Sequence, residues 1–231
     1  MAGRHYVKFT FLKLDPAWRR RDPELRAADK REFAAACNDF GEDHFLRAYS
    51  LVGTRGDADL MIRVSSPRLE AIHELHVLLN QSGLMGWADV SHSFLAMTKE
   101  SVYSDEPQPL APREGSERRF LMVYPMWKRR DWYRLPADER MRVMRGHIET
   151  GRRYGGIEIN TAYSFGLDDQ EFVVSFNADD PGEFLDLVQE LRGTESSAYT
   201  ESETPIFTCI AASVERALDA LDGQPVAAQL T

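Results

Sequence analysis

Tyr124 and Lys128 form the first group in this 231-residue chain whose residue types and spacing could do chemistry. They occur in the segment YPMWK, where Pro125 is expected to end the regular pairing of a strand. A tyrosine near a lysine can work as a redox or acid–base pair, because a nearby cation favours the phenolate. The alternative is a half-buried strand tyrosine beside a solvated lysine, and local sequence alone favours it.

His147 is the second candidate, and it lies on a predicted helix. It follows Met144 by three residues, which puts it on or beside the apolar face that turns toward a sheet. Gly146 and Gly151 flank it and would make room for something flat. A neutral imidazole there could ligate a metal or a haem iron, with its other nitrogen held by a carboxylate such as Glu195. The alternative is a hydrogen-bonded core histidine.

Other ligand-type residues give weaker patterns. His73 and His76 are three residues apart on one helix, but no third metal ligand accompanies them and His76 falls on the apolar stripe. We therefore interpret this pair as structural. Arg152 and Arg153 are either a solvated face or a clamp for the carboxylates of a ligand, since arginine offers planar bidentate geometry.

The elements that must position these residues repeat in two similar halves. Each half follows the order β-α-β-β-α-β. The predicted strands are 6–14, 45–52, 59–64, 90–97, 120–126, 157–165, 171–177 and 205–211. The predicted helices are 23–40, 68–80, 136–154, 181–192 and 214–221.

This order predicts an α+β fold of two tandem ferredoxin-like domains, residues 1–103 and 117–231. The polar, proline-containing segment 104–116 reads as a linker between them. Each sheet has one face without helices. Pairing the two sheets face to face, in a dimeric α/β-barrel-type arrangement, would bury those faces.

Composition and charge narrow the function classes. The chain has 28 Lys and Arg against 37 Asp and Glu, a formal net charge of −9. Nucleic-acid binding needs a concentrated basic face, so we expect no nucleic-acid partner. No apolar run approaches the roughly 20 residues of a membrane span, and no secretory signal is apparent. The two cysteines form no disulfide or zinc framework, so we expect a cytoplasmic protein with reduced thiols.

The second half resembles the chlorite dismutase family, which includes the coproheme decarboxylases. The similar stretches are YPMWKRRDWYRLPADERMRVMRGHIETGRRY, then NTAYSFGLDDQEFVVSFNADDPGEFLDLVQELRGTESSAY, then ETPIFT. They cover most of residues 120–208, whereas the first half is similar only in architecture. The resemblance implies two ferredoxin-like halves, haem bound in the C-terminal half, and usually a ring of five subunits, so we expect a homopentamer.

Three site residues follow from the family's motifs. The helix pattern ER-x-x-x-M-x-x-H-x-x-x-G-R-x-Y implies that His147 is the proximal ligand of the haem iron. In one branch of the decarboxylases the motif is Y-P-M-x-K, in which the tyrosine forms the radical and the lysine assists. That resemblance assigns these roles to Tyr124 and Lys128.

Further residues follow by alignment with the same family. LRGTESS aligns with its propionate-holding segment and offers Arg192 and Ser197, and a linker arginine of the family corresponds to Arg113. At the distal position chlorite dismutases carry arginine and one decarboxylase branch carries glutamine, whereas this chain has Ile159. An apolar side chain gives no hydrogen bond to an iron-bound oxyanion, and one such donor typically contributes about 3 kcal/mol.

The resemblance therefore implies a haem-dependent oxidoreductase of the coproheme decarboxylase type, with haem b or iron coproporphyrin III bound through His147. Hydrogen peroxide would be the oxidant. Tyr124, helped by Lys128, would carry the radical that takes hydrogen from a propionate, which then loses CO₂. Because of Ile159 we also consider a haem-binding protein with slow peroxidase activity. A chlorite dismutase is a third alternative, which Ile159 disfavours, and a structural protein that kept the fold but lost the cofactor is a fourth.

Overall fold

The computed structural model describes residues 4–101, 103 and 118–226. Its strands are β1 (Tyr6–Leu14), β2 (Phe45–Ser50), β3 (Leu60–Ser66), β4 (Ala88–Met97), β5 (Phe120–Lys128), β6 (Glu158–Tyr163), β7 (Phe172–Ala178), β8 (Thr200–Ser202) and β9 (Phe207–Ala212). Its α-helices are α1 (Pro23–Asp43), α2 (Leu69–Leu79), α3 (Ala137–Arg152), α4 (Pro181–Arg192) and α5 (Val214–Leu221). The duplicated β-α-β-β-α-β order and the α+β class are confirmed.

Capping residues explain where the helices begin. Asp22 and Asp180 each accept a hydrogen bond from a backbone N–H in the first turn of α1 and α4, and a proline follows each of them. α3 has no side-chain cap, but Asp138 and Glu139 lie in its first turn, where the helix end is positive. These local signals are readable from sequence, which is why the predicted helices are close to the observed ones.

The strand β5 differs from its prediction. We expected Pro125 to end its pairing, but β5 continues to Lys128. On one side β5 pairs with β9 as far as Val123 and with β8 from Trp127 onward. Pro125 lies in the gap between these two partners, so its missing N–H interrupts no ladder on that side. β8 itself was not predicted, because three residues are too few to show a strand period.

The strand pairings form a closed circuit that joins the halves. The order is β5–β7–β6–β4–β1–β3–β2–β9 and back to β5, with every pairing antiparallel. β2 of the first half pairs with β9 of the second through three residue pairs. β4 and β6 meet at the single pair Met97–Tyr163. The two halves are therefore one hydrogen-bonded unit.

The inner face of this circuit carries a core that both halves share. Phe9, Phe11 and Phe94 of the first half pack with Val123 and Phe207 of the second. Phe11 and Phe207 stack with ring centroids 4.0 Å apart and planes inclined by 28°. This is the sheet face without helices, and side chains from both halves bury it together.

The two outer faces are filled differently. On the first-half sheet lie α1, α2 and also α5, which comes from the second half of the chain. Trp18 and Phe33 are both completely buried in this layer. In the second half a smaller core, including Phe176 and Leu187, lies under α3 and α4. The space that bulky side chains occupy in the first half thus stays partly open in the second.

The predicted linker 104–116, and Arg113 with it, lies outside the described residues. The domain boundaries at 103 and 117 therefore remain predictions. Of the helices within residues 4–101, 103 and 118–226, none combines the length and the hydropathy that a bilayer span requires.

We expect Phe207→Ala to lower the free energy of unfolding by about 3–5 kcal/mol, because it removes a fully buried ring from the shared core. Both halves should still unfold in one transition. Urea denaturation followed by tryptophan fluorescence and by circular dichroism measures this. Leu185→Ala, at a side chain that is 61% exposed, is the control and should change little. A loss below about 1 kcal/mol, or two separate transitions, would contradict the shared core.

Candidate functional site

A cavity of about 820 Å³ lies between the second-half sheet and the helices α3 and α4. Its volume is within the range of about 300–1,000 Å³ that is typical of small-molecule sites. It brings together every candidate site residue that the structure describes, namely Tyr124, Lys128, His147, Ile159, Arg192 and Ser197. Residues that are far apart in sequence thus line the same cavity.

Alternate residues of three strands form the sheet side of the cavity. Tyr124 of β5 pairs with Val174 of β7, which in turn pairs with Thr161 of β6, and all three line the cavity. Successive side chains of a strand point to opposite faces. The neighbours Val123 and Val173 therefore belong to the shared core instead. One strand pattern serves both the core and the site.

His147 lines the cavity from α3. Burial, and secondarily the charge of Lys128, lower the pKa of its imidazole to about 4, so the ring is neutral at pH 7. Its Nδ1 lies 3.4 Å from Thr194 Oγ1. The Thr194 hydroxyl donates its own proton to the carbonyl oxygen of Leu191 at 2.7 Å. Thr194 can therefore only accept from His147, which assigns the ring proton to Nδ1 and leaves Nε2 with a free lone pair.

The carboxylate partner that we expected for His147 is wrong. Glu195 accepts hydrogen bonds from Arg142 at 2.9 and 2.7 Å instead, on the exposed side of α3. Arg142 also pairs with Glu139 one turn earlier. The imidazole consequently has a neutral hydroxyl as the partner of Nδ1–H. A hydroxyl accepts this hydrogen bond more weakly than a carboxylate would, so it raises the basicity of Nε2 less and leaves Nε2 a weaker donor to a metal.

Tyr124 is buried, and its ring stacks on Phe176 with centroids 5.8 Å apart. Burial raises the pKa of the phenol, the charge of Glu203 raises it further, and Arg192 opposes them. The condition of the acid–base interpretation, a lysine that favours the phenolate, is therefore not met. Loss of water around an anion outweighs the neighbouring cation, and the phenol keeps its proton at neutral pH.

Lys128 is buried rather than solvated. Its Nζ donates to the Ser196 carbonyl oxygen at 3.0 Å and to Thr200 Oγ1 at 3.1 Å. Burial lowers the pKa of this ammonium group to about 8, so at neutral pH most of it remains charged. These bonds tie the short 3₁₀ helix Glu195–Tyr199, which carries Ser197, to the end of β5.

Arg192 is the last residue of α4, where a cation faces the negative end of the helix. It forms an ion pair with Glu203, which follows β8. Both residues line the cavity. Both members of the pair therefore face the site, where their charges act in opposite directions on the pKa of Tyr124.

The cavity is strongly cationic although the chain as a whole is acidic. Among its described lining residues the only acid is Glu203. The basic lining residues are Arg4, Lys99, Lys128, Arg140, Arg152 and Arg192. Of the arginine pair singled out in the sequence, Arg152 lines the cavity while Arg153 forms an ion pair with Glu190. The lining suits a ligand that carries several carboxylates.

Ile159 lies where β6 and α3 approach each other. Its Cδ1 would be 3.4 Å from a Cβ added at Gly151, so the glycine does leave room at this point. Gly146, by contrast, is exposed and has nothing within 4 Å of such a Cβ, so its expected spacing role is wrong. The Ile159 side chain itself offers no hydrogen-bond donor to the cavity.

Two site residues escaped the sequence reasoning. Glu203 was inside the quoted segment ETPIFT, but no spacing rule relates it to Arg192 or Tyr124. Thr194 was inside the quoted segment LRGTESS, but no spacing rule relates it to His147, because only the packing of α4 against α3 brings the two residues together. His76, which we interpreted as structural, is hydrogen-bonded within its own helix, since its Nδ1 lies 2.8 Å from the carbonyl oxygen of Ile72.

Comparison with known proteins settles the family. The family model described as chlorite dismutase matches residues 26–212, which is most of the chain. This chain belongs to the chlorite dismutase family. The resemblance indicated by the second-half motifs is thereby confirmed, and the match extends into the first half, where the sequence had shown only architecture.

The relatives and solved structures that resemble this chain match it over most of its length. A coproheme decarboxylase of Mycolicibacterium smegmatis is 30% identical over 168 residues, 72% of this chain and 73% of the relative. The structure of a haem-binding protein from Thermus thermophilus is 30% identical, with a TM-score of 0.86 over 97% of this chain and 96% of that one. A chlorite dismutase from Candidatus Nitrospira defluvii, in complex with imidazole, has a TM-score of 0.86 at 20% identity, covering 94% and 95% of the two chains. That last likeness concerns the fold alone.

The cavity of this family member has the donor set that an iron porphyrin needs. A neutral imidazole with a free Nε2 is a common iron ligand. The aromatic and aliphatic wall, with Phe172, Val174 and Phe176, offers apolar contact to a flat macrocycle. Cationic side chains at the same cavity can pair with its carboxylates.

We expect the apoprotein to lose stability as the pH falls from about 6.5 to 4. The unfolded chain protonates His147 below its ordinary pKa of 6.5, but the folded chain does so only near 4, so the unfolded state binds more protons in this range. The cost approaches about 3 kcal/mol by pH 4.

The difference in unfolding free energy between wild type and His147→Gln, measured by chemical denaturation at pH 7 and 4.5, isolates this effect. Carboxylates titrate in both proteins and cancel. Wild type should lose more than the variant. Equal losses would contradict a desolvated imidazole.

Proposed function

We propose that this protein is a porphyrin-dependent oxidoreductase that uses hydrogen peroxide to decarboxylate propionates of iron coproporphyrin III, giving haem b. The observation that carries the proposal is the meeting of a neutral His147 and a protonated Tyr124 in one cationic cavity. Similarity to the coproheme decarboxylase of M. smegmatis and to the haem-binding protein of T. thermophilus supports it.

Each residue has a role that its surroundings support. His147 would hold the iron through Nε2. Arg192 and Ser197 would hold propionates, the arginine as a planar bidentate donor and the serine as a hydroxyl donor. When bound, the iron porphyrin supplies the peroxide-driven oxidation that no side chain can supply. The chain's own part is to bind, to orient and to exclude water.

Tyr124 would act at a propionate. Its buried phenol keeps the proton on Oη, and this is the form that can give up a hydrogen atom and later take one from a substrate carbon. Lys128 acts mainly through position, because its hydrogen bonds fix the segment of Ser197 against β5. This is a more indirect help than the sequence motif suggested.

The charge of the cavity favours iron coproporphyrin III over haem b as the molecule that enters. Iron coproporphyrin III carries two more propionates than haem b. The cavity lining holds six basic residues and a single acid. Arg152, at the end of α3, lines the cavity and has no ion-pair partner among the described residues, so it is available to a further carboxylate.

Ile159 favours a second candidate function, a haem-binding protein with only slow peroxidase activity. The apolar Ile159 side chain gives no donor to charge that develops on peroxide, which forgoes about 3 kcal/mol of stabilisation. The same argument speaks against efficient chlorite decomposition. Product analysis separates the two candidates, because a peroxidase would bleach the pigment and leave the propionates in place.

A homopentamer and a cytoplasmic location also remain part of this proposal. The pentamer comes from the family resemblance. Cys37 and Cys209 are buried free thiols, and burial raises the pKa of both, which keeps them protonated and unreactive.

We expect wild type to bind iron coproporphyrin III with a shifted Soret band and His147→Ala to lose that band, because the iron would lose its protein ligand. Absorption titration measures this. His73→Ala is the matched control, since it removes an exposed histidine on α2 and should titrate like wild type. A His147→Ala spectrum identical to wild type would reject His147 as the ligand.

We expect Tyr124→Phe to bind iron coproporphyrin III like wild type but to lose at least about 100-fold in decarboxylation rate, because the hydrogen-carrying hydroxyl is gone. Mass analysis after peroxide addition follows the loss of CO₂. Tyr163→Phe removes a hydroxyl from the same cavity and serves as the control. Undiminished decarboxylation by Tyr124→Phe would contradict the assigned role, and unchanged porphyrin mass with wild type would reject the proposed function.

A further inference from the structure

Arg192 and Glu203 form the one ion pair, among the described residues, in which both members line the cavity. Other arginine–glutamate pairs of α3 and α4 lie outside it. In the pair Arg142–Glu195, for example, both side chains are about half exposed, at 53% and 49%. The Glu203 side chain is only 15% exposed. A carboxylate of the protein thus occupies the arginine that the ligand's own carboxylate would need.

We propose that Glu203 is a displaceable counter-ion for Arg192, which it holds until a porphyrin propionate takes the guanidinium from it. This inference rests on the proposed function, and it adds a means of selecting the ligand. The site would then recognise a carboxylate-bearing edge of the macrocycle by exchange of one carboxylate for another.

The exposure of Arg192 makes the exchange feasible. Its side chain is 49% exposed, so water reaches the pair and weakens it. The guanidinium fork matches one carboxylate in bidentate geometry. A propionate that arrives at this fork meets both the attraction of Arg192 and the repulsion of Glu203. Binding at this point is therefore a competition between two like groups.

Glu203 would not be stranded after Arg192 turns to the ligand. Its charge also acts on Lys128, where it opposes the lowering of the ammonium pKa by burial. A carboxylate freed in this cavity keeps a cation nearby, so the exchange avoids an uncompensated buried charge. None of the other described lining residues is acidic, so no second acid competes for the same cations.

The exchange also gives the site a direction. Once a propionate has been lost as CO₂, that edge of the macrocycle has no charge to offer Arg192. Glu203 can then pair with Arg192 again. The same residue would weaken the grip on the product edge and discriminate against porphyrins that lack the carboxylate.

The test compares wild type, Glu203→Gln and Glu195→Gln in binding iron coproporphyrin III and its tetramethyl ester. Quenching of tryptophan fluorescence and the Soret band both report binding. Glu203→Gln should bind the free acid about twofold to fivefold more tightly and the ester unchanged, the size expected for one partly exposed charge pair. Glu195→Gln removes an arginine partner outside the cavity and should match wild type with both ligands.

Weaker binding of the free acid by Glu203→Gln, or equal changes for acid and ester, would overturn the inference, since Glu203 would then only position Arg192. Glu203→Asp keeps the charge, so its ratio of acid to ester affinity should match wild type even if Glu203→Gln does not fold. A changed ratio in Glu203→Asp would also overturn it. If wild type binds neither porphyrin, both the proposed function and this inference are wrong. If wild type binds iron coproporphyrin III but Glu203→Gln has the same ratio of acid to ester affinity, only the inference is wrong.

Discussion

The loss of water around one imidazole is the physical constraint on which the rest of the site depends. His147 is neutral at pH 7 because burial in the second half and the charge of Lys128 both disfavour its charged form. Neutrality and the hydrogen bond to Thr194 together leave a single lone pair facing the cavity. A more hydrated histidine at the same sequence position would share its lone pairs with water and protons, and it would be a much poorer ligand at mildly acidic pH.

The cavity exists because the two halves share one topology but differ in how fully side chains occupy the space between helices and sheet. In the first half Trp18 and Phe33 occupy the space between helices and sheet. In the second half the corresponding layer has fewer buried side chains, and α3 and α4 pack over a chamber. The shared inner core, in which Phe11 stacks on Phe207, supplies stability that the second half, with its cavity, does not provide for itself. A duplicated fold thus allows one copy to act as scaffold while the other keeps a binding site.

The site is basic although the chain as a whole is acidic. A protein with a net charge of −9 concentrates basic residues around a chamber with one acid among its described lining residues. Such a field attracts an anionic ligand and orients its carboxylates toward the arginines. Burial then decides protonation: it keeps the proton on Tyr124 against the charge of Arg192, and it lowers the pKa of Lys128 without neutralising it at pH 7. Desolvation, more than pairwise attraction, sets the chemistry of these groups.

The sequence by itself determined the duplicated α+β order, the helix ends marked by Asp22 and Asp180, and the family, because periodicity, capping and a long ordered motif are local properties. It also named the residues that meet in the cavity, because the motifs that contain them can be recognised from their spacing in the sequence alone. Only the tertiary structure decided that Thr194 and not Glu195 contacts His147, that β5 runs through Pro125, and that Glu203 holds Arg192. These are contacts between elements far apart in sequence, and they depend on how α4 and the short strand β8 pack, which no local pattern encodes.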